Sequence, residues 1–392
     1  MTRETSRLLP LPWDLEDEIL SRVPAPSLRR LRFSCKRWNA LFKDQEFIKK
    51  HSDKAAKQHL VLMLNNLKVY SMNVNLHEIH TNVVDPHKLM SLIVFNNPEK
   101  FKVCKIFHCD GLLLCTTLDF KLVIWNPCTG QIRWIPFSDR YNTNSNFVLG
   151  YDNNKTYKIL RCSRGSPARN VGVVEYGIYD FGSHSWKNLN NVTPKYSYIV
   201  SEGVSLKGNI YWIVLDKEKQ YVLRSFHFST KRFGEISIPF SNIGVDSCPT
   251  ALSVVREERL AVLYSSISHP TQIAILMTTD DKIDQTKLVP GTKFLSVDLY
   301  KISIPRELIS SETSFFIDEE KKAAVLCDPE YTSNTGMVFL VGEDNRFLKI
   351  PIREHRDQVW TPHIYNYVPS LVQIQQGTVE FLTEGRKRRK RH

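Results

Sequence analysis

One pattern constrains the fold of this chain more than any other. An apolar or aromatic strand, a polar turn and a second strand recur at intervals near fifty residues. The element reads V-Y-S-M-N-V-N-L-H-E-I at 69–79, I-W-N-P-C-T-G-Q-I-R-W-I at 124–135, Y-D-F-G-S-H-S-W-K-N-L at 179–189 and S-F-H-F-S-T-K-R-F-G-E-I at 225–236, with fainter copies near 274–288 and 337–350. With Tyr70, Trp125, Tyr179 and Phe226 as landmarks, the spacings are 55, 54 and 47 residues. A degenerate repeat of this period leaves room for about four strands per copy and predicts kelch-like propeller blades. A single blade cannot cover both of its faces, so blades stack around an axis. Six copies predict six blades, with seven as the alternative count and an irregular β-sandwich as the alternative fold. Asp110-Gly111, between two apolar runs, predicts a two-residue hairpin, and Lys207-Gly208-Asn209 a similar turn.

The first fifty residues follow a different period. Leu15, Ile19 and Val23 recur every four positions with Leu20 beside them, which predicts an amphipathic helix over 14–23. Acidic residues crowd its first turn, and Pro24 stops it. Pro26 suits the first turn of a second helix carrying Leu28 and Leu31, with Arg29, Arg30 and Arg32 outward. A third helix is expected from about Cys35 to Phe42, and Asp44 caps a fourth that holds Phe47 and Ile48. So short a cluster cannot bury enough surface to be comfortably stable alone, and its apolar residues exceed what so small a core needs. The surplus implies a partner chain.

Leu11-Pro12, Asp14-Leu15, Glu18-Ile19-Leu20, Arg22-Val23-Pro24, Ser27-Leu28, Leu31-Arg32, Cys35-Lys36, Trp38 and the closing Phe47…His51 resemble the F-box. That resemblance implies helices packed against a Skp1-type adaptor, and through it a cullin-based ubiquitin ligase. It carries Leu11, Pro12, Leu15, Ile19, Leu20, Val23, Pro24, Leu28, Leu31, Cys35 and Trp38 as adaptor-binding residues. The β region in turn resembles the type-1 F-box-associated domain of plant F-box proteins. The matching residues are Cys109-Asp110-Gly111-Leu112-Leu113-Leu114, Trp125-Asn126-Pro127-x-Thr129-Gly130, Gly150-Tyr151-Asp152, Tyr157-Lys158-Ile159, Ser185-Trp186, Gly208-Asn209-x-Tyr211-Trp212, Phe226-x-Phe228 and Tyr367-x-Pro369-Ser370-Leu371. Where that family carries two tryptophans, this chain has Ile275-Leu276-Met277-Thr278 and Pro290-Gly291-Thr292-Lys293-Phe294, so one blade is expected to pack differently.

The fold class expected is therefore α+β and multidomain: an arm (1–7), a helical F-box (8–51), a charged linker (52–59), an all-β propeller-like domain (60–382) and a basic tail (383–392). An unidentified protein substrate is the cargo expected for the β domain.

Other chemistries find little support. Eight scattered cysteines form no C-x-x-C pair, so neither a disulfide framework nor a zinc site is expected, and the thiols are read as small buried apolar groups. His77-Glu78-x-His80 has no evident third ligand. No phosphate-cradling glycine motif appears, and 203–208 (G-V-S-L-K-G) is one residue too long for a nucleophile elbow. No cofactor, metal or catalytic set is expected. A propeller metalloenzyme, with Tyr, Cys and His ligands on one face, is the alternative from another class. No apolar run approaches the ~18 residues of a membrane span, and a soluble intracellular chain is expected.

The net charge of +12 is uneven, because six charges are the run Arg386, Lys387, Arg388, Arg389, Lys390 and Arg391. That run reads as a solvated tail or a nuclear-import signal, giving a nuclear or cytoplasmic location. Nuclear nucleic-acid binding is a further alternative, but no base-reading module accompanies the charge.

Overall fold

The computed structural model describes residues 11–74, 90–94, 101–136, 145–163, 175–189, 198–216, 218–238, 247–266, 272–278, 291–298, 313–329, 336–343, 346–352 and 362–374. The His77–His80 motif and the basic run Arg386–Arg391 lie outside them.

Four short helices come first: α1 (Trp13–Leu20), α2 (Ala25–Leu31), α3 (Lys36–Leu41) and α4 (Gln45–Lys54). Each boundary has a local cause. Pro12 and Pro24 precede α1 and α2, with Pro26 inside the first turn of α2, where a missing N–H costs nothing. Cys35 caps α3, its Sγ accepting the Trp38 amide, and Asp44 caps α4 by accepting the Phe47 amide at 2.9 Å. α1 ends earlier than its periodicity predicts, and Arg22 beyond it turns back to pair with Glu18 at 2.7 Å. α4 extends to Lys54, so the start of the expected linker is helix.

Among the described residues, twenty-five strands form six sheets, the six blades of a propeller. The first blade holds β1 (Leu60–Asn65), β2 (Lys68–Val74) and β3 (Met90–Val94). The second holds β4 (Val103–Cys109), β5 (Leu112–Thr117), β6 (Leu122–Asn126) and β7 (Gln131–Ile135). The third holds β8 (Ser145–Tyr151), β9 (Tyr157–Ser163), β10 (Glu175–Asp180) and β11 (Ser185–Asn188). In the fourth, β12 (Tyr198–Ile199) and β13 (Val204–Leu206) both pair with β14 (Asn209–Leu215), followed by β15 (Tyr221–His227) and β16 (Arg232–Ser237). The fifth is β17 (Ser247–Val255), β18 (Arg259–Ser266), β19 (Gln272–Thr278) and β20 (Gly291–Asp298). The sixth is β21 (Ser314–Asp318), β22 (Ala323–Pro329), β23 (Gly336–Gly342) and β24 (Phe347–Pro351). The last strand, β25 (His363–Tyr367), returns to pair with β1, Leu62 opposite Tyr365, and closes the ring.

The recurring element is the outer hairpin of a blade, and all six copies, the faint ones included, fall in sheets of their own. In the copies at 69–79 and 274–288 the outer strand comes later, as β3 and β20, and residues 75–79 and 279–288 lie outside the described ones. Middle strands face neighbours on both sides, so they are continuously apolar: L-L-L-C in β5, L-V-I-W in β6 and I-Y-W-I-V in β14 are buried throughout. The outer strand β7 alternates instead, leaving Ile132 and Trp134 exposed. Apolar clusters fill the spaces between successive blades, from Leu62, Val103 and Trp125 between the first two to Met63, Val325 and Ile364 between the last and the first. The blade lacking the family's tryptophans carries a bulge, with the register slipping between Ile275 and Leu276 opposite β20.

The turns follow the chemistry expected. Asp110 and Gly111 (φ +48° and +77°) and Lys207 and Gly208 (+51° and +81°) all occupy the left-handed region, and Asn209 belongs to the strand that follows. Cys109, Cys115, Cys128, Cys162 and Cys327 are buried, but Cys35 is exposed because it serves as a cap.

One expectation needs correcting. Part of the apolar surplus of the helical module is taken up by its own propeller: Cys128 and Leu371 join Leu20, Leu28, Phe42 and Phe47 in one buried cluster. The helices are thus seated on the propeller, beside the turn that follows β6.

Candidate functional site

The helical module has two faces. Inward, Leu20, Ala25, Leu28, Leu41, Phe42, Phe47 and Ile48 form the cluster just described, with Val23, Leu31 and Trp38 packed half-buried around it. Buried His51 at the end of α4 contacts the Val23 carbonyl at 2.8 Å, and burial lowers its pKa. Outward, Leu15 and Ile19 lie one turn apart on the same face of α1, 50% and 52% exposed, and Leu11, just before the helix, adds a third exposed aliphatic side chain (53%) to the row.

Two aromatic residues extend this apolar surface. Trp13 is exposed with the Arg37 guanidinium 4.5 Å over its ring, and Phe33, the most exposed large apolar side chain among the described residues, lies under Arg32 at 4.6 Å.

Polar contacts hold the row in place from behind. Glu16 accepts from Arg37 and from the Trp38 indole, the latter at 3.2 Å, which lowers its pKa. Lys50 pairs with Asp17 and Glu18, and Lys54 with Glu18 at 2.8 Å. Hydrogen bonds from Lys54, then Arg22 and Lys50, hold the Glu18 carboxyl down to about 2. The acidic residues of α1 are therefore a clamp onto α3 and α4 as much as a complement to the helix dipole.

The eleven residues marked by the F-box resemblance divide accordingly. Leu11, Pro12, Leu15, Ile19 and Cys35 are exposed; Val23, Pro24, Leu31 and Trp38 are half-buried; Leu20 and Leu28 lie in the module's own core. Of the three arginines expected to face outward, Arg30 is exposed, whereas Arg32 Nη1 donates to the Thr129 carbonyl at 2.6 Å and half-buried Arg29 lies near Cys128. Sequence reasoning missed Phe33 and Trp13 as surface features. Their signal was present: bulky aromatic side chains at positions the inner face of the helices does not require.

The second feature is the central channel, a cavity of about 690 Å³. Inner strands bring His108, Ser253, Thr313, His363 and Tyr365 to its wall, while Ala25, Pro26, Ile48 and His51 of the helical module line it as well. Burial drives the His363 imidazole down to about 4 and lowers His108, whose Nε2 accepts the Gly111 amide at 3.0 Å. The cations beside the helical module are paired, Lys57 with Glu257 at 2.7 Å and Lys155 with Asp110 at 2.9 Å. Among the described residues the arrangement offers a shaped, hydrogen-bonding wall.

The motifs that resemble the F-box-associated domain meet in space. Asn126 Oδ1 accepts the Cys128 and Thr129 amides at 2.8 and 3.2 Å, while its Nδ2 donates to the Ser370 and Val372 carbonyls at 3.1 and 2.7 Å. The Ser370 hydroxyl donates to the Asp110 carbonyl at 2.6 Å and the Tyr367 hydroxyl to that of Gly111 at 3.3 Å. Around the ring, the Tyr151 amide donates to the Gly208 carbonyl at 3.2 Å, and Gly150 lies against Phe228 so closely that a Cβ there would overlap the ring. These residues join blade to blade and close the ring.

Comparison with known proteins agrees with this architecture. A model of the F-box domain matches residues 8–50, and a model described as the F-box associated beta propeller domain matches residues 60–374. An F-box protein of Arabidopsis thaliana is 45% identical over 97% of this chain and 99% of its own length. The F-box/LRR-repeat/kelch-repeat protein At2g27520 of the same plant is 43% identical, covering 93% and 97% of the two chains. Its F-box/kelch-repeat protein At3g17530 is 41% identical, covering 94% and 95%. Among solved structures, TolB from Acinetobacter baumannii aligns over 78% of this chain and 66% of its own with a TM-score of 0.42 and 9% identity. Helical module, ring of blades and motif residues together place this chain among the F-box proteins that carry an F-box associated beta propeller domain.

Proposed function

We propose that this chain is the substrate-recruiting subunit of a Skp1–cullin–F-box ubiquitin ligase, with no active site of its own. The observation that carries the reading is the exposed row Leu11–Leu15–Ile19 on a module whose inner face is already occupied by its own core and by the propeller. Aliphatic side chains at this spacing suit a hydrophobic groove on a partner, with Trp13 and Phe33 as anchors at the margin. Exposed Arg30 favours an acidic partner surface and acts on the association rate more than on affinity. The propeller holds a protein substrate, and transfer of ubiquitin to a substrate lysine becomes nearly intramolecular. The basic run Arg386–Arg391 acts as a nuclear-import signal in this reading.

Affinity capture of a Skp1-type adaptor tests the proposal. The full chain retains the adaptor through purification, and a variant with the exposed row truncated does not; equal capture by both would sink it.

A further inference from the structure

Beyond the ring-closing strand β25, the segment Val368–Ile374 crosses the turns of the second blade and has two faces. Leu371, 4% exposed, enters the core of the helical module beside Leu28 and Phe42. Val372 and Ile374 point the other way, into the apolar cluster of the second to fourth blades.

Between them the backbone is held at both carbonyls that Asn126 reaches, at 3.1 and 2.7 Å, and by the Ile374 amide donating to Gln131 Oε1 at 3.0 Å. The same Asn126 shapes the turn whose Thr129 carbonyl accepts from Arg32 at 2.6 Å and whose Cys128 lies in the helical core. One buried side chain thus fixes both surfaces on which the helices sit.

We infer that the segment Val368–Ile374 is a strap locking the adaptor-binding helices onto the closed propeller, with Leu371 and Arg32 as positioning residues. The direction in which the row Leu11–Leu15–Ile19 faces is then set chiefly by ring closure, with the connection after α4 adding one ion pair, Lys57 with Glu257. This deepens the adaptor reading and rests on it for its consequence: substrate held in the propeller keeps one orientation relative to the adaptor. An orientation fixed in this way concentrates transfer on the lysines within reach, whereas a loose joint spreads it.

The test uses the full chain in limited trypsin digestion, with cleavage at Lys54 and Lys57 followed by mass spectrometry. In the locked state Lys54 pairs with Glu18 and Lys57 with Glu257. Leu371→Asp puts a charge into the shared core, and we expect cleavage at these two lysines to rise about tenfold or more through local opening. Arg32→Ala, at a partly exposed position, leaves the fold intact and raises it about threefold.

Adaptor capture by both variants stays within about twofold of the parent, because the exposed row is untouched. Unchanged cleavage in Arg32→Ala overturns the strap, with or without a folded Leu371→Asp protein. Loss of adaptor capture at unchanged cleavage overturns it too, since it would assign these residues to the adaptor interface. If the parent chain captures no adaptor, the functional reading fails, while the digestion still judges the strap.

Discussion

Asn126 and Ser370 are 244 positions apart and joined by a 3.1 Å hydrogen bond from side-chain amide to backbone carbonyl. With no solvent access, Asn126 uses both ends of its amide, one to hold its own turn and one to hold the C-terminal segment. A buried group so placed makes that segment part of the second blade.

The exposed row predicts a binding defect without a folding defect. Replacing Leu11 and Ile19 together by alanine lowers adaptor affinity at least about tenfold, since buried interface anchors commonly cost ~2 kcal/mol or more on truncation. Both side chains are about half exposed, so the melting temperature should not move. Titration calorimetry against a purified Skp1-type adaptor, with a thermal melt of each protein, separates the two effects.

Leu28 predicts the opposite. Fully buried at the centre of the helical cluster, it loses contact with both its neighbours and the propeller when truncated. Leu28→Ala destabilises the helical module by about 2–5 kcal/mol. Hydrogen exchange of the amides of α2 and α4 accelerates accordingly, while exchange in the fifth blade does not.

At Gly111 the constraint is backbone geometry. Its φ of +77° is one that L side chains rarely adopt, and a Cβ would stand 2.4 Å from the Ser370 hydroxyl. Gly111→Ala therefore costs about 1–3 kcal/mol and loosens the closing segment. A lowered urea midpoint checks this, and Gly130→Ala, where a Cβ meets no atom within 4 Å, serves as the comparison for a positive φ without a clash.

Desolvated imidazoles set the direction of acid sensitivity. His363 titrates near 6.5 in the unfolded chain and near 4 when folded, because burial disfavours its charged form. Between those values the unfolded state binds the extra proton. Stability is complete above the upper value and falls as pH drops through the window, by on the order of 3 kcal/mol for this residue. His51 and His108 are shifted the same way. Urea unfolding at pH 7.5 and at pH 4.5 measures the loss, and His363→Gln makes it smaller.

The basic run predicts a localisation effect independent of the fold. Deleting residues 385–392 shifts a fluorescent fusion of the full chain from nucleus to cytoplasm, measured as the intensity ratio of the two compartments.

The period of the outer hairpins sufficed to predict the blades, because every copy meets the same physical demand. A strongly apolar strand covers the next blade, and a more polar one shields it from solvent. Trp125 in β6 and Trp134 in β7 show the two roles, one buried and one exposed. Proline and cap chemistry likewise placed the helices to within a few residues, since Pro24, Pro26 and Asp44 act on their immediate neighbours.

Local pattern could not divide the apolar side chains of the helical module. Ile19 and Leu20 are adjacent aliphatic residues of one helix, yet the first is half exposed and the second is 4% exposed. Leu28 and Leu31 differ in the same way. The difference is set by the other helices of the module together with Cys128 and Leu371, which arrive from far along the chain to join the cluster. Hydrophobicity is a property of a residue, but burial depends on what the rest of the chain brings against it. The repeat and the helix signals by themselves determined that this protein is a helical module followed by a ring of blades. Only the tertiary structure, through the closing strand and its continuation, decided which face of that module is covered by the propeller and which is left for another molecule.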